Sequence, residues 1–146
     1  MTISEISLRT FCLFAILLVV GAITRSTIAT RLDGFTIDET YHIAAGVSYL
    51  RHADFRINPE HPPLVKLWVG SVLSATGFRL GSMRPFADKP DEREFTEQDV
   101  YVNNDFNSVQ RRARIAMLVL NGLLFVLLSF AVRRAWPSSH AKVSAQ

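Results

Sequence analysis

Apolar residues are concentrated in two uninterrupted blocks near the two ends of the 146-residue chain. The first block covers residues 11–23, the second covers residues 115–132, and neither contains a charged side chain. A bilayer core of about 30 Å requires roughly 20 helical residues. The second block is long enough with its flanks, and the first is long enough if its helix continues to about Thr30 with Arg25 extending to the interface. The pattern predicts an all-α membrane protein with two transmembrane helices, at 10–30 and 115–132.

The first block has a competing interpretation as a cleaved signal peptide, because a short apolar core behind Arg9 is also typical of such a segment. Cleavage would have to follow Thr27-Ile28-Ala29, which matches the usual pair of small residues poorly. We therefore favour an uncleaved membrane anchor. The single cysteine, Cys12, lies inside this block and can form no internal disulfide, so it does not indicate a redox compartment.

The segment between the blocks, residues 31–114, is predicted to be an extracytoplasmic loop containing two interfacial helices. Asp38 is well placed as the N-cap of a helix near 39–50. A Pro-Pro pair at 62–63 favours the start of a second helix, near 64–75, because proline is tolerated in a first helical turn. The two predicted helices are too short to span a bilayer, so the two apolar blocks remain the predicted membrane spans.

The second of these short helices carries Lys66 and Trp68 among apolar residues. Tryptophan and a lysine that extends its ammonium group to water both suit a membrane interface, which is where this helix is predicted to lie. From residue 79 to residue 110 the composition becomes charged and polar, which predicts a solvated loop or flap. For 88–99 a disordered connection without a role is the alternative.

Charge predicts the orientation in the membrane. The formal net charge is +3, residues 24–114 carry 12 basic and 12 acidic residues, and Arg9 offsets Glu5, so the excess comes from Arg133, Arg134 and Lys142. Short basic flanks remain in the cytoplasm. The tails 1–9 and 133–146 are therefore predicted to be cytoplasmic. The pI near 9.4 reflects this topology, and no nucleic-acid partner is predicted because no basic stripe alternates with aromatic residues.

Two short stretches combine acidic residues with histidine, IDETYH at 37–42 and NPEHPPL at 58–64. A carboxylate at a helix N-terminus stays ionised, because the helix dipole and the free backbone amides favour negative charge there. Asp38 is therefore a candidate general base that could accept a proton from an attacking hydroxyl or amine. In the structural alternative, Asp38 only caps the helix and Glu39 is a first-turn charge.

A second interpretation makes metal ligands of Asp38, His42, Glu60 and His61, because the first two are four residues apart and share a helix face. Their spacing matches no zinc signature, and an exported metal-dependent hydrolase lacks a convincing ligand set. No cofactor is predicted from the sequence, and a loosely held divalent cation remains open.

Three stretches in a fixed order resemble a known family: DETYHIAAGVSYL, NPEHPPLVKLW and YVNNDFNSVQRRARIAMLVLNGLLFVLLSFAVRR. Together they are similar to the start of the polytopic GT-C glycosyltransferases, closest to the bacterial relatives of the dolichyl-phosphate-mannose protein mannosyltransferases. The similarity extends from about Phe11 to Trp136. In that family a first transmembrane helix leads to an extracytoplasmic loop with an Asp-Glu pair, two interfacial helices and a His-Pro-Pro-Leu segment.

The resemblance implies inverting transfer of a sugar from a polyprenyl-phosphate donor to an acceptor on the outer face of the bacterial inner membrane. Asp38 would be the catalytic base and Glu39 would assist it. The acceptor side of the pocket would be shaped by His42, Glu60 and His61. Members usually continue through many more membrane helices with basic groups for the lipid phosphate, so the resemblance predicts an N-terminal portion that needs another membrane chain. The alternative is a non-catalytic two-helix membrane protein that acts as a scaffold.

Overall fold

The computed structural model describes residues 7–135, and every regular element in that range is a helix. The elements are α1 (Leu8–Leu32), α2 (Ile37–His52), α3 (Pro63–Ala75), α4 (Lys89–Glu97), a π-helical segment (Gln98–Val102) and α5 (Phe106–Ala135). The predicted all-α class is therefore confirmed. Most of each predicted cytoplasmic tail lies outside the described residues.

Two helices have the length and composition required to cross a membrane. These are Leu8–Thr30 within α1 and Phe106–Ala135, with mean hydropathies of 2.1 and 2.6. Their most apolar windows are almost unburied within the chain, at 0% and 6%. Exposed apolar windows of this length suit a membrane span, and the core helix of a soluble protein would instead be buried. The first helix lies near the N-terminus, where a signal sequence has the same length and composition.

The chain divides into two compact units. The first unit contains α1 and the part of α5 that begins at Leu118. Within it the Arg133 guanidinium lies 5.1 Å from the Phe11 ring centroid, and a Cβ at Gly122 would lie 3.5 Å from Ile23. Residues early in α1 thus meet residues late in α5, so the two helices are antiparallel.

The second unit, Asp33–Met117, is a folded helical domain with its own core. Its centre is the contact between α2 and α3, where Ile43, Val47, Val69 and Leu73 are all at least 95% buried. Burying a side chain of this size is worth about 1.5–3 kcal/mol. Leu50, near the end of α2, is by contrast 46% exposed.

Glycine permits a very close approach of α2 and α3. A Cβ at Gly46 would overlap the backbone carbonyl of Lys66, and a Cβ at Gly70 would overlap the backbone of Gly46. The two backbones are therefore in direct contact.

The indole N–H of Trp68 donates to the Ala116 carbonyl at 2.7 Å, which joins α3 to the first turns of α5.

Two predictions about local structure are wrong. The N-cap of α2 is Thr36, not Asp38, because the Thr36-x-x-Glu39 sequence forms a capping box and Asp38 lies inside the first turn. Residues 88–99 are ordered as α4 and the start of the π-helical segment. Asp88 caps α4 by accepting from the Asp91 N–H at 2.9 Å.

Candidate functional site

A cleft of about 430 Å³ opens in the second unit, where the first turn of α2, the loop before α3 and the first turn of α4 meet. Both stretches that combine acid with histidine contribute to it, so residues distant in sequence are brought together. Its walls are formed by Ile37, Asp38, Tyr41, Asn58, Glu60, His61, Lys89, Pro90 and Arg93.

The two adjacent carboxylates differ sharply in their surroundings. Asp38 is exposed on the cleft wall and forms no hydrogen bond or ion pair with another described residue. Glu39 turns elsewhere, lying 3.6 Å from the Arg114 guanidinium and accepting from the Thr36 N–H at 3.5 Å. Of these two carboxylates, Asp38 is the one that lines the cleft, where it could accept a proton from a bound molecule.

The two predicted histidines touch each other. The rings of His42 and His61 meet edge to face with their centroids 5.4 Å apart, and His42 Nδ1 lies 3.3 Å from Asn58 Nδ2. Burial lowers the pKa of His42, and the nearby positive charges of Lys66 and His61 lower it further. His42 is therefore neutral at pH 7, which allows its ring to accept a hydrogen bond. His61 lines the cleft, and His42 contacts the His61 ring.

The loop that carries Glu60 and His61 is held in place by Lys66. This lysine is fully buried, and its ammonium donates to the carbonyls of Asn58 and His61 and to the Tyr49 hydroxyl. The interpretation of Lys66 as a lysine extending to the interface is therefore wrong. Its three acceptors lie inside the unit, and burial lowers its pKa.

A second anchor comes from α4. The buried Glu92 carboxylate accepts the Asn58 N–H at 2.7 Å, and Asn58 adopts a positive φ of 50°. Asparagine tolerates this left-handed conformation better than most residues do. The turn at Asn58 is thus fixed from both sides, by Lys66 and by Glu92.

The helix α4 contributes two basic side chains to the cleft wall, Lys89 and Arg93. Lys89 lies between two carboxylates, 2.5 Å from Glu60 and 2.8 Å from Glu92. The hydrogen bond from Lys89 lowers the pKa of Glu60, so Glu60 is ionised and compensated. Arg93 pairs with Glu97 at 2.7 Å. Both cations on the cleft wall are therefore already engaged.

Sequence reasoning missed Tyr41, Lys89 and Arg93. The signal for the last two was present, since Asp88 followed by Pro90 is typical of a helix start. Recognising that start would have placed Lys89 and Arg93 on one face of a helix, four residues apart. Nothing in the sequence indicated that α4 would pack against α2, where the Thr40 and Thr96 hydroxyls meet at 3.3 Å.

Across residues 7–135, no group of three or more His, Cys, Asp or Glu side chains is arranged to hold a metal ion. Three of the four candidate ligands instead make the contacts described above: Glu60 with Lys89, and His42 with Asn58 and His61. A loosely held divalent cation, which the sequence analysis left open, stays open.

Comparison with known proteins finds no match for this chain among family models, curated proteins or solved structures.

Proposed function

We propose that the chain is the N-terminal part of a membrane glycosyltransferase that uses a polyprenyl-phosphate sugar as donor. The observation that carries this proposal is the cleft, whose wall contains Glu60, His61 and the Asp38 carboxylate, which forms no ion pair with another described residue. The cleft supports the sequence resemblance, because the two stretches that combine acidic residues with histidine, 37–42 and 58–64, both contribute to its wall.

In the proposed reaction, an acceptor hydroxyl in the cleft attacks the anomeric carbon of the sugar. The new bond joins the acceptor oxygen to that carbon, and the bond from the carbon to the phosphate oxygen breaks. The electron pair leaves with the polyprenyl phosphate, while the hydroxyl proton passes to Asp38. A single displacement of this kind inverts the anomeric configuration. His61, supported by neutral His42, and Glu60 orient the acceptor by hydrogen bonds.

The leaving phosphate needs a positive counter-charge. Lys89 is shared between Glu60 and Glu92, and Arg93 is paired with Glu97, so little uncompensated positive charge remains in the cleft. This favours the proposal that a further membrane segment or chain supplies basic groups for the phosphate.

The test compares Asp38→Asn with Glu39→Gln, two neighbouring changes that each remove one carboxylate. Membranes with matched expression receive polyprenyl-phosphate mannose labelled in the sugar, with and without membrane proteins encoded beside the gene. Asp38→Asn should lower transfer by about 100- to 10,000-fold, the usual contribution of a general base. Glu39→Gln should reduce transfer much less, since Glu39 contacts Arg114 and Thr36. Equal transfer by wild type and Asp38→Asn would exclude Asp38 as the base.

For topology, we propose that the protein is integral to the bacterial inner membrane with both termini inside and the second unit outside. In a Cys12→Ala background, a cysteine introduced by Glu94→Cys should react with an impermeant maleimide in intact cells. A cysteine introduced by Ser7→Cys should react only after permeabilisation. Both positions are exposed, so accessibility within the protein does not bias the comparison. The reverse pattern would contradict the orientation.

The alternative is a non-catalytic scaffold. It is favoured by the exposed apolar side chains of the second unit, among them Phe55 at 55%, Leu64 at 72% and Val102 at 74%. Such residues suit contact with lipid or with a partner protein. Absence of transfer by wild type under every condition above would favour this function.

A further inference from the structure

The first unit contains a mainly apolar cavity that also has polar wall residues. The cavity has a volume of about 390 Å³ and lies between α1 and α5. Three of its wall residues, Arg25, Ser26 and Asn121, have polar side chains, and the others are Ala22, Ile23, Ala29, Leu118 and Phe125. All of them fall within the two segments that are able to span a membrane.

None of the three polar side chains forms a hydrogen bond or an ion pair with another described residue. Lipid tails offer no hydrogen-bond partners, so polar groups at membrane depth require partners from protein, water or a ligand. Arg25 lies five residues before Thr30, the last residue of its candidate span, which is about 7.5 Å along a helix. That depth is close to the lipid headgroups.

We propose that this cavity binds the phosphodiester group of an anionic glycerophospholipid. The guanidinium of Arg25 suits a phosphate because two parallel N–H groups can bond two of its oxygens. The Ser26 hydroxyl and the Asn121 amide supply further donors. One cation and two neutral donors balance the single negative charge of a phosphodiester, whereas a phosphomonoester carries about −1.5 to −2 at pH 7. The apolar part of the cavity, including Phe125, would accommodate the start of an acyl chain.

This inference rests on the proposed membrane insertion and is independent of sugar transfer. Its experiment is native mass spectrometry of the full chain, purified in detergent and titrated with phosphatidylglycerol. Parallel arms use phosphatidylcholine, polyprenyl phosphate and soluble glycerophosphoglycerol. We expect selective binding of phosphatidylglycerol and a loss of at least about tenfold in Arg25→Gln, the effect of removing one charge-assisted hydrogen bond. Asn121→Leu should weaken binding less and should leave the charge intact.

Arg9→Gln is the matched control, because it removes the same charge from the same helix at a position outside the cavity. It should bind phosphatidylglycerol as the wild type does. Equal losses in Arg9→Gln and Arg25→Gln would overturn the site and indicate non-selective attraction to lipid phosphates. Stronger binding of polyprenyl phosphate would overturn the phosphodiester assignment, and equal binding of the soluble phosphodiester would overturn the lipid assignment. Loss of the chain from carbonate-washed membranes would overturn the insertion premise, whatever the result for sugar transfer.

Discussion

Replacing Gly46 with alanine should disrupt the second unit, because α2 and α3 meet there backbone to backbone. The new Cβ would overlap the Lys66 carbonyl and would lie 3.1 Å from the Gly70 Cα. Neither obstacle is the end of a flexible side chain. The two helices would therefore have to move apart, which would loosen the buried contacts around Val47 and Leu73.

The size of the effect follows from two opposing terms. Overpacking a tight core costs typically 1–3 kcal/mol, and a rigid backbone obstacle belongs at the upper end of that range. Alanine is favoured over glycine in a helix by about 0.8–1 kcal/mol. The net loss of unfolding free energy is then about 2 kcal/mol, a factor of about 30 in the ratio of folded to unfolded protein. For a unit of this size the melting temperature should fall by roughly 8–16 °C.

The fluorescence of Trp68 can report this transition, because its indole packs against the core and bonds the Ala116 carbonyl. The chain has two tryptophans, so a Trp136→Phe background isolates the signal. Thermal unfolding of the detergent-solubilised full chain would be followed in this background, with and without Gly46→Ala.

Gly21→Ala is the matched control, since a Cβ at Gly21 meets nothing within 4 Å. It makes the same substitution in a helix without an obstacle and should leave the Trp68 transition unchanged. A Gly46→Ala protein as stable as the wild type would show that the backbones of α2 and α3 are not in direct contact at Gly46.

Two further substitutions test the buried polar groups. Lys66→Met should lower the unfolding free energy by about 2 kcal/mol, because the Asn58 and His61 carbonyls lose their donor, and thermal unfolding at pH 7 measures it. Asp99→Asn should be more stable than the wild type, and the difference in unfolding free energy should grow as pH rises from about 4. Burial raises the pKa of Asp99 in the folded protein. The stability that the protonated Asp99 carboxyl provides is therefore fully present below its ordinary pKa of 3.8, and it is lost as pH rises through the folded-state pKa. Melting curves at pH 4 and pH 7 check this, and a pH-independent difference between the two proteins would contradict it.

The elements that the sequence predicts best are those with strong local signals. The charge-free apolar blocks predict two long helices, and the Pro-Pro pair predicts the start of α3 at Pro63. The boundaries are less accurate, because α5 begins at Phe106, well before the predicted start at 115. Its first turns are polar on one side and bury Val109 and Ala113 in the second unit, so hydropathy alone does not mark them as part of the same helix.

The buried environment of Lys66 is a feature that no local sequence pattern predicts. An isolated lysine among apolar residues predicts a membrane interface, because an unpaired buried ammonium is costly. Here the cost is offset by two loop carbonyls and the Tyr49 hydroxyl, which come from 58, 61 and 49 in the sequence. That arrangement exists only once α2 and α3 are packed together, which depends on the tertiary contact and not on any local pattern.

The capping of α2 bears on whether the cleft is functional. A charged group on a protein surface is often only a solvated helix cap, and that explanation suited Asp38 as long as it was expected to be the N-cap. The structure gives the capping role to Thr36 and Glu39, and the pairing with Arg114 also falls to Glu39. Asp38 is thus left without a hydrogen bond or an ion pair among the described residues, its charge acts only on His42 nearby, and it lines the cleft. A carboxylate that the fold does not use is available for chemistry, which is why Asp38→Asn separates catalysis from stability.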